Sequence, residues 1–429
     1  MGAGLRFLNS LASSSTIDKL KLRKPVERTI YHSTKNGFKA SAAVSRQFAA
    51  KDKQDKPARQ AKAGGDGKFD LTPTDEQEML VEAFGEFAKS ELLPIATKSS
   101  NDALTPPEIL KQSTELGVTM IGVPEQLGGA VEERSAVTSA LISEALAQGD
   151  LGLAVSVLAP AAVSTALGLW GDADQQSTYL PEFVGENVPL AALAVMEPKP
   201  LFDPFKLETK ATKTGDGYTL TGVKALVPHG ASAELFIVAA DLDGQPSLFI
   251  VESDESIQVT PEPAMGIRPA ATATVSFDNF KLPAGALLGA ADPEVYKEMV
   301  RLSRVAWGAV ASGTSRAALD YVIPYVNERK AFGEPISHRQ AVAFMVSNIA
   351  IELDGLRLTT LRAAARADRG EDFAREAALA RQLTAKYAME IGSNAVQLLG
   401  GHGYTQEYPV ERWYRDLRAA GLMEGVLLV

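Results

Sequence analysis

The sequence predicts an α+β protein in which a helical domain, a β domain and a helix bundle follow one another along one chain. Three observations predict it. Apolar residues recur at helical spacing from residue 71 to about 190, the period drops to two from Thr209 onward, and helical spacing returns after Pro283 in three long segments.

Residues 1–70 come first and share none of these periodicities. They hold fifteen Lys/Arg against six Asp/Glu, a surplus of nine that leaves −19 for the rest of a chain whose formal charge is −10. Rich in Ser, Ala, Lys and Arg, and turning into a Lys/Asp/Gly linker over 49–68, this stretch has little to bury and is expected to be a disordered extension. A weak membrane or partner contact is the alternative, because "TIDKLKLRKPVERTIYHSTKNGF" spaces apolar residues among basic ones, although Pro25 interrupts it.

The helical domain, 71–190, opens at "LTPTDEQEMLVEAFGEFAKSELLPIA", where Thr72, Thr74 and Asp75 stand ahead of a 3.6-residue pattern. Further helical patterns lie in "PPEILKQSTELG", "RSAVTSALISEALAQGD" and "AVSVLAPAAVSTALGLWG", with a glycine turn at "PEQLGGA". The β domain, 191–285, offers a hairpin around Gly215-Asp216-Gly217 and the strand patterns "ELFIVAADL", "SLFIVES" and "TATVSFDNFKL". The bundle, 286–429, has helical segments at roughly 294–330, 339–369 and 371–399. In the last of these, Leu379, Leu383, Tyr387, Ile391 and Ala395 recur at four-residue intervals and predict one buried stripe.

Composition narrows the chemistry. The chain has no cysteine, which excludes disulfides, thiolate metal sites and thiol nucleophiles. Its four histidines, His32, His229, His338 and His402, do not stand at metal-ligand spacing, and no metal is expected. The acidic body argues against a nucleic-acid partner. No run of eighteen apolar residues occurs, so no membrane-spanning helix is expected.

Two stretches combine backbone freedom with charge near helix ends. "LLGGHGY" closes a helix with glycines that leave room for another backbone or an anionic ligand, and "NERKAFGEPI" places Arg329 and Lys330 at a negative helix end. Taken singly, each reads as an ordinary helix cap. Nucleotide-binding fingerprints of the strand-turn-helix type and a Gly-x-Ser-x-Gly elbow are missing.

From about Leu71 to Val429 the chain resembles the acyl-CoA dehydrogenase family. The likeness is densest in "SRVAWGAVASGTSRAALDYVIPYVNERKAFGEPISHRQAVAFM" and "AVQLLGGHGYTQEYPVERWYRDLRAAGLMEG", and extends to "VPEQLGGA" and "MGIRPAATATVSFDNFKLP". The resemblance implies that family's fold: a helical domain, a β-barrel or sheet domain and a C-terminal four-helix bundle. It also implies FAD, held at its pyrophosphate and adenine half by Arg329, Phe332 and Gly333, by Gln397, Gly400 and Gly401, and by Gln340 on the next helix. In the family these elements reach across a subunit interface, which implies a homodimer or homotetramer. Guanidinium forks suit phosphate, and glycine suits close backbone approach.

The implied reaction is α,β-dehydrogenation of an acyl-CoA thioester, with electrons passed to an electron-transfer flavoprotein in fatty acid metabolism. The family's base is a glutamate shortly after an Arg-Asp pair, and Arg415-Asp416 followed by "LRAAGLMEG" puts Glu424 there. Some members carry the base before an arginine on the first bundle helix, where this chain has Ser303 ahead of Arg304. Arg304 is left as a substrate contact or a structural ion pair.

The likeness breaks at the flavin ring. Met196 replaces a threonine in "MEPKPLFDP", Leu226 and Pro228 replace an aromatic and a hydroxyl in "LVPHG", Val426 follows Glu-Gly where threonine is usual, and the chain stops at Val429 before the family's last helix. The alternative expectation is therefore a catalytically degenerate homologue that serves as a binding or structural subunit. A third is a flavoprotein acting on something other than a CoA thioester. Acidic residues in the leader and the lack of a clean cleavage pattern favour a cytoplasmic location, with the mitochondrial matrix as the alternative.

Overall fold

The computed structural model describes residues 72–129, 134–185 and 187–429, all within one compact unit, Phe69–Val429. The basic stretch, with its expected disorder or membrane contact, lies outside the described residues.

Helix α1 (Asp75–Phe87) starts at a reciprocal cap: the Thr74 hydroxyl accepts from the Gln77 amide at 3.2 Å, and Gln77 Oε1 accepts from the Thr74 amide at 3.0 Å. It passes through a π turn, Ala88–Leu92, into α2 (Leu93–Asp102), followed by α3 (Pro107–Glu115), α4 (Ala136–Gly149), α5 (Leu151–Trp170) and α6 (Ala173–Tyr179). Helix α5 is long and apolar enough to cross a membrane, yet 94% of its most apolar window is buried inside the protein. Being apolar on every face, it is a core helix.

The β domain holds β1 (Ala191–Ala194), β2 (Lys210–Thr214), β3 (Gly217–Val227), β4 (Leu235–Leu242), β5 (Gln245–Glu252), β6 (Gln258–Pro261), β7 (Ala273–Pro283) and β8 (Leu287–Leu288). The expected hairpin forms, with Thr214 opposite Gly217 across Gly215 (φ 56°) and Asp216. The strand order is β6-β7-β3-β2-β4-β5-β8, with β1 added to β4 in parallel, so the β domain is an open sheet. Strand β4 shows why "ELFIVAADL" is continuously apolar. Leu235, Ile237 and Ala239 enter the core shared with the helices, whereas Phe236, Val238 and Ala240 enter a second core within the β domain.

The bundle consists of α7 (Pro293–Glu328), the small hairpin β9 (Lys330–Ala331) and β10 (Glu334–Pro335), α8 (Gln340–Asp368), α9 (Ala374–Leu383), α10 (Met389–Leu399) and α11 (Val410–Ala420). The predicted third segment is thus two helices joined by a π turn, Thr384–Ala388. The predicted stripe is buried only at its C-terminal end. Ile391 and Ala395 are buried, but Leu379 is exposed, and Ala377, Ala380, Thr384 and Ala388 face inward instead. Four-residue steps on a 3.6-residue helix drift by about 40° each, so such a row winds off the core face. The π turn shifts it further.

Helix α7 packs against α4 at closest approach where Gly313 stands. A Cβ there would lie 2.0 Å from the Glu144 carbonyl oxygen, and the next residue, Thr314, donates its hydroxyl to the Ala147 carbonyl at 2.8 Å. This contact and the ion pair of Arg357 with Glu144 (2.7 Å) fasten the helical domain to the bundle.

Candidate active site

Glu424 lies in the turn after α11, with its side chain only 7% exposed. The turn is anchored through the next residue: the Gly425 carbonyl accepts from Ser303 Oγ and from Trp307 Nε1, both at 2.8 Å and both on α7. Gly425 has φ 70°, and a Cβ there would come within 2.4 Å of a Val195 methyl. Only glycine fits. Val426 follows at φ 76°, a strained conformation for a β-branched residue, spanned by a hydrogen bond from the Leu427 amide to the Gly425 carbonyl at 2.9 Å.

Two arginines hold the Glu424 carboxylate. Arg304 of α7 forks onto it, Nε to Oε2 at 3.0 Å and Nη2 to Oε1 at 3.1 Å. Arg381 of α9 adds Nε to Oε1 at 2.8 Å, while its Nη1 donates to the Gly421 carbonyl at 2.8 Å. Of the two roles left open for Arg304, the structure contains the ion pair.

A second buried pair lies close by in the β domain. Lys224 Nζ donates to Glu197 Oε1 at 2.9 Å and to the Val195 carbonyl at 3.1 Å, and Glu197 also accepts from the amides of Glu208 and Thr209. Burial pushes the Lys224 ammonium down to about 8 against the pull of Glu197. For Glu197 burial pushes up, but the Lys224 charge and the two amides prevail and hold it below the usual carboxylate range. Tyr296 of α7 feels both Glu197 and Glu424. Burial first, then those two charges, raise it well above an ordinary tyrosine, and it donates to the Pro204 carbonyl at 2.7 Å.

At the positions where the sequence departs from the family, Met196 is buried and its carbonyl accepts from the Ala225 amide at 2.9 Å. Leu226, at φ 53°, donates its amide to Glu262 at 2.7 Å. His229 is a buried core histidine, its Nε2 in contact with Ser156 Oγ at 3.0 Å and the Ser156 carbonyl at 2.9 Å. Burial lowers its pKa, so the ring is neutral and donates to that carbonyl. No group of acidic or histidine side chains suited to a metal ion occurs among the described residues.

The remaining predicted site residues gather at the far end of α7. Arg329 caps that helix, Phe332 (φ 55°) and Gly333 (φ 87°) form the turn of the β9–β10 hairpin, and Gln340 begins α8. Gln397 lies in the last turn of α10, directly before Gly400 (φ 57°) and Gly401. Tyr325 joins the two groups: its hydroxyl lies 2.8 Å from His402 Nδ1 and 3.3 Å from the Leu399 carbonyl, and His402 stacks on Tyr408. Cβ positions built at Gly333, Gly400 and Gly401 have no heavy atom within 4 Å, and Arg329 is exposed with no ion-pair partner among the described residues. The backbone at these three glycines and the Arg329 guanidinium are thus open to solvent.

The sequence reading missed Arg381, Lys224 and Tyr325. Lys224 was the most visible of them, the one charged residue of β3, lying between Val223 and Ala225. Nothing local marked Arg381.

Three family models cover almost all of the described chain: acyl-CoA dehydrogenase N-terminal domain over residues 74–187, middle domain over 192–280 and C-terminal domain over 294–427. The short/branched chain specific acyl-CoA dehydrogenase, mitochondrial, of Bos taurus is 30% identical over 82% of this chain and 83% of its own length. The probable acyl-CoA dehydrogenase YngJ of Bacillus subtilis (strain 168) is 32% identical over 83% of this chain and 96% of its own. Among solved structures, butyryl-CoA dehydrogenase from Megasphaera elsdenii superposes with a TM-score of 0.75 at 28% identity, covering 82% of this chain and 95% of that one.

Proposed function

The chain belongs to the acyl-CoA dehydrogenase family, flavoprotein oxidoreductases of fatty acid metabolism that use FAD, and on that premise we propose that it dehydrogenates an acyl-CoA thioester between Cα and Cβ with Glu424 as the base. One observation carries the reading: the tail carboxylate at the family's base position is buried, paired and anchored to α7. A solvated carboxylate near a frayed end would have none of these features.

The residues at the far end of α7 fit the adenine half of FAD. Arg329 would fork onto the pyrophosphate, the glycines at 333, 400 and 401 leave room for close approach, and Gln340 and Gln397 would supply side-chain amides. FAD, when bound, supplies the acceptor for the two electrons that leave Cβ as hydride. Glu424 takes the α proton as the C–H bond breaks. Arg304 and Arg381 keep its carboxylate in place, and the buried turn excludes water from it.

A single protomer cannot use both ends at once. Arg304 and Arg329 are 25 residues apart on one continuous helix, or about 37 Å at 1.5 Å per residue. The cradle therefore serves the base of a neighbouring protomer, which makes the working unit a homodimer or homotetramer. Helix α8 presents a suitable face, with Phe344, Ile351 and Leu358 exposed at seven-residue spacing beside the cradle. An electron-transfer flavoprotein would take the electrons onward.

The second reading, a degenerate binding or structural subunit, is favoured by Met196, Leu226 and Pro228 at the ring contacts. Anaerobic mixing of the FAD-loaded protein with a panel of acyl-CoAs separates the two. Bleaching of the flavin by at least one thioester, abolished in Glu424→Gln, is the expected result. A protein that retains FAD and bleaches with none of them would sink the dehydrogenase reading.

A further inference from the structure

We propose that Arg381 is a positioning residue that decides which oxygen of Glu424 receives the substrate proton. The inference rests on the dehydrogenase reading above and goes beyond it to a second guanidinium, contributed by a different helix from the one that carries Arg304.

The carboxylate is loaded unevenly. Oε1 accepts twice, from Arg304 Nη2 at 3.1 Å and Arg381 Nε at 2.8 Å, whereas Oε2 accepts once, from Arg304 Nε at 3.0 Å. A carboxylate oxygen has two in-plane acceptor positions, so Oε1 is filled and Oε2 retains one. The Arg304 fork alone would leave the two oxygens equivalent. Arg381 breaks that symmetry, and the new O–H bond forms at Oε2 while the electron pair of the broken Cα–H bond enters the new double bond.

Arg381 also fixes the direction in which Oε2 points. Its Nη1 holds the Gly421 carbonyl at 2.8 Å, so one planar group ties the end of α11 to the carboxylate three residues later. Arg381 itself is 17% exposed, and its helix runs directly into the π turn at Thr384–Ala388, which sets the local rotation of the segment.

Capping α11 would be a purely structural role, and the test separates the two. In Arg381→Gln, kcat for flavin reduction is expected to fall about tenfold or more while KM stays within about twofold, because a misaimed base loses alignment and not substrate binding. In parallel, melting temperatures are measured for Arg381→Gln, Glu424→Gln and the double variant, where the two effects are expected to be non-additive by about 2 °C. Unchanged kcat, or strictly additive melting shifts, would overturn the proposal. Should the glutamine variant not fold, Arg381→Lys, which keeps the charge and loses the fork, is read in the same two ways and with the same reversal. A wild-type protein silent toward every thioester would refute the dehydrogenase reading, and the melting cycle would then judge the clamp alone.

Discussion

Asp416 of α11 is fully buried, its Oδ1 accepts from the Ile267 amide at 2.7 Å and its Oδ2 has no partner. Burial first, then the neighbouring Asp150 carboxylate, push it from 3.8 to about 7, against the pull of the Ile267 amide, Arg415 and Arg412. Asp150 is itself raised by burial and relieved by Arg412 at 2.8 Å, so the two acids share the site's proton balance. Between pH 4 and 7 the folded protein therefore holds a proton that the unfolded chain releases. The stability Asp416 contributes is complete below about pH 4 and is lost as pH rises through about 7. Three pH units at about 1.4 kcal/mol each set a ceiling of roughly 4 kcal/mol on that loss, shared with Asp150. Asp416→Asn keeps the shape of the neutral acid and removes the titration. Urea unfolding of both proteins at pH 5 and pH 8 should show the variant gaining on wild type by up to roughly 3 kcal/mol at the higher pH, because only the two pH units between 5 and about 7 contribute to that interval. An equal difference at the two pH values would refute the reasoning.

Three other outcomes follow from the geometry. Gly313→Leu, which drives a side chain into the Glu144 carbonyl, should cost about 1–3 kcal/mol or more, read as a lowered melting temperature. Removing both side-chain donors to the Gly425 carbonyl with Ser303→Ala and Trp307→Phe leaves it only the Leu427 amide at 2.9 Å and detaches the turn from α7; about 1–3 kcal/mol of stability should be lost for the two hydrogen bonds, and flavin reduction should slow in stopped-flow mixing. Ile351→Arg on the exposed face of α8 should weaken self-association in sedimentation and, on the proposed composite site, release FAD in the same step; a monomer that keeps its flavin would contradict that proposal.

The fold was legible wherever the signal is local. The Thr74 cap and the Gly215-Asp216 hairpin each involve groups within three residues of one another, so residue type and spacing were sufficient. Strand β4 was legible as a strand, but its burial between two cores was found only in the structure. What failed was the assumption of an unbroken helix across 371–399. A π turn at Thr384–Ala388 has no strong propensity signature, and its effect is to rotate everything that follows, so the predicted stripe was right at Ile391 and Ala395 and wrong at Leu379.

The site divides along the same line. Glu424 and the glycine turns could be proposed from sequence because each sits inside a contiguous motif. The partners that define the Glu424 environment could not: Arg304 is 120 residues away in sequence and Arg381 43, and no spacing rule connects a tail carboxylate to two bundle helices. Helix length was the exception among long-range features. A segment predicted as one helix over 294–330 already separates Arg304 from Arg329 by about 37 Å, because rise per residue is fixed by backbone hydrogen bonding. That separation follows from helix geometry alone, and joined to the proposed roles of Glu424 and Arg329 it calls for a second protomer, whereas the setting of the Glu424 carboxylate depends on side chains that only the folded bundle brings together.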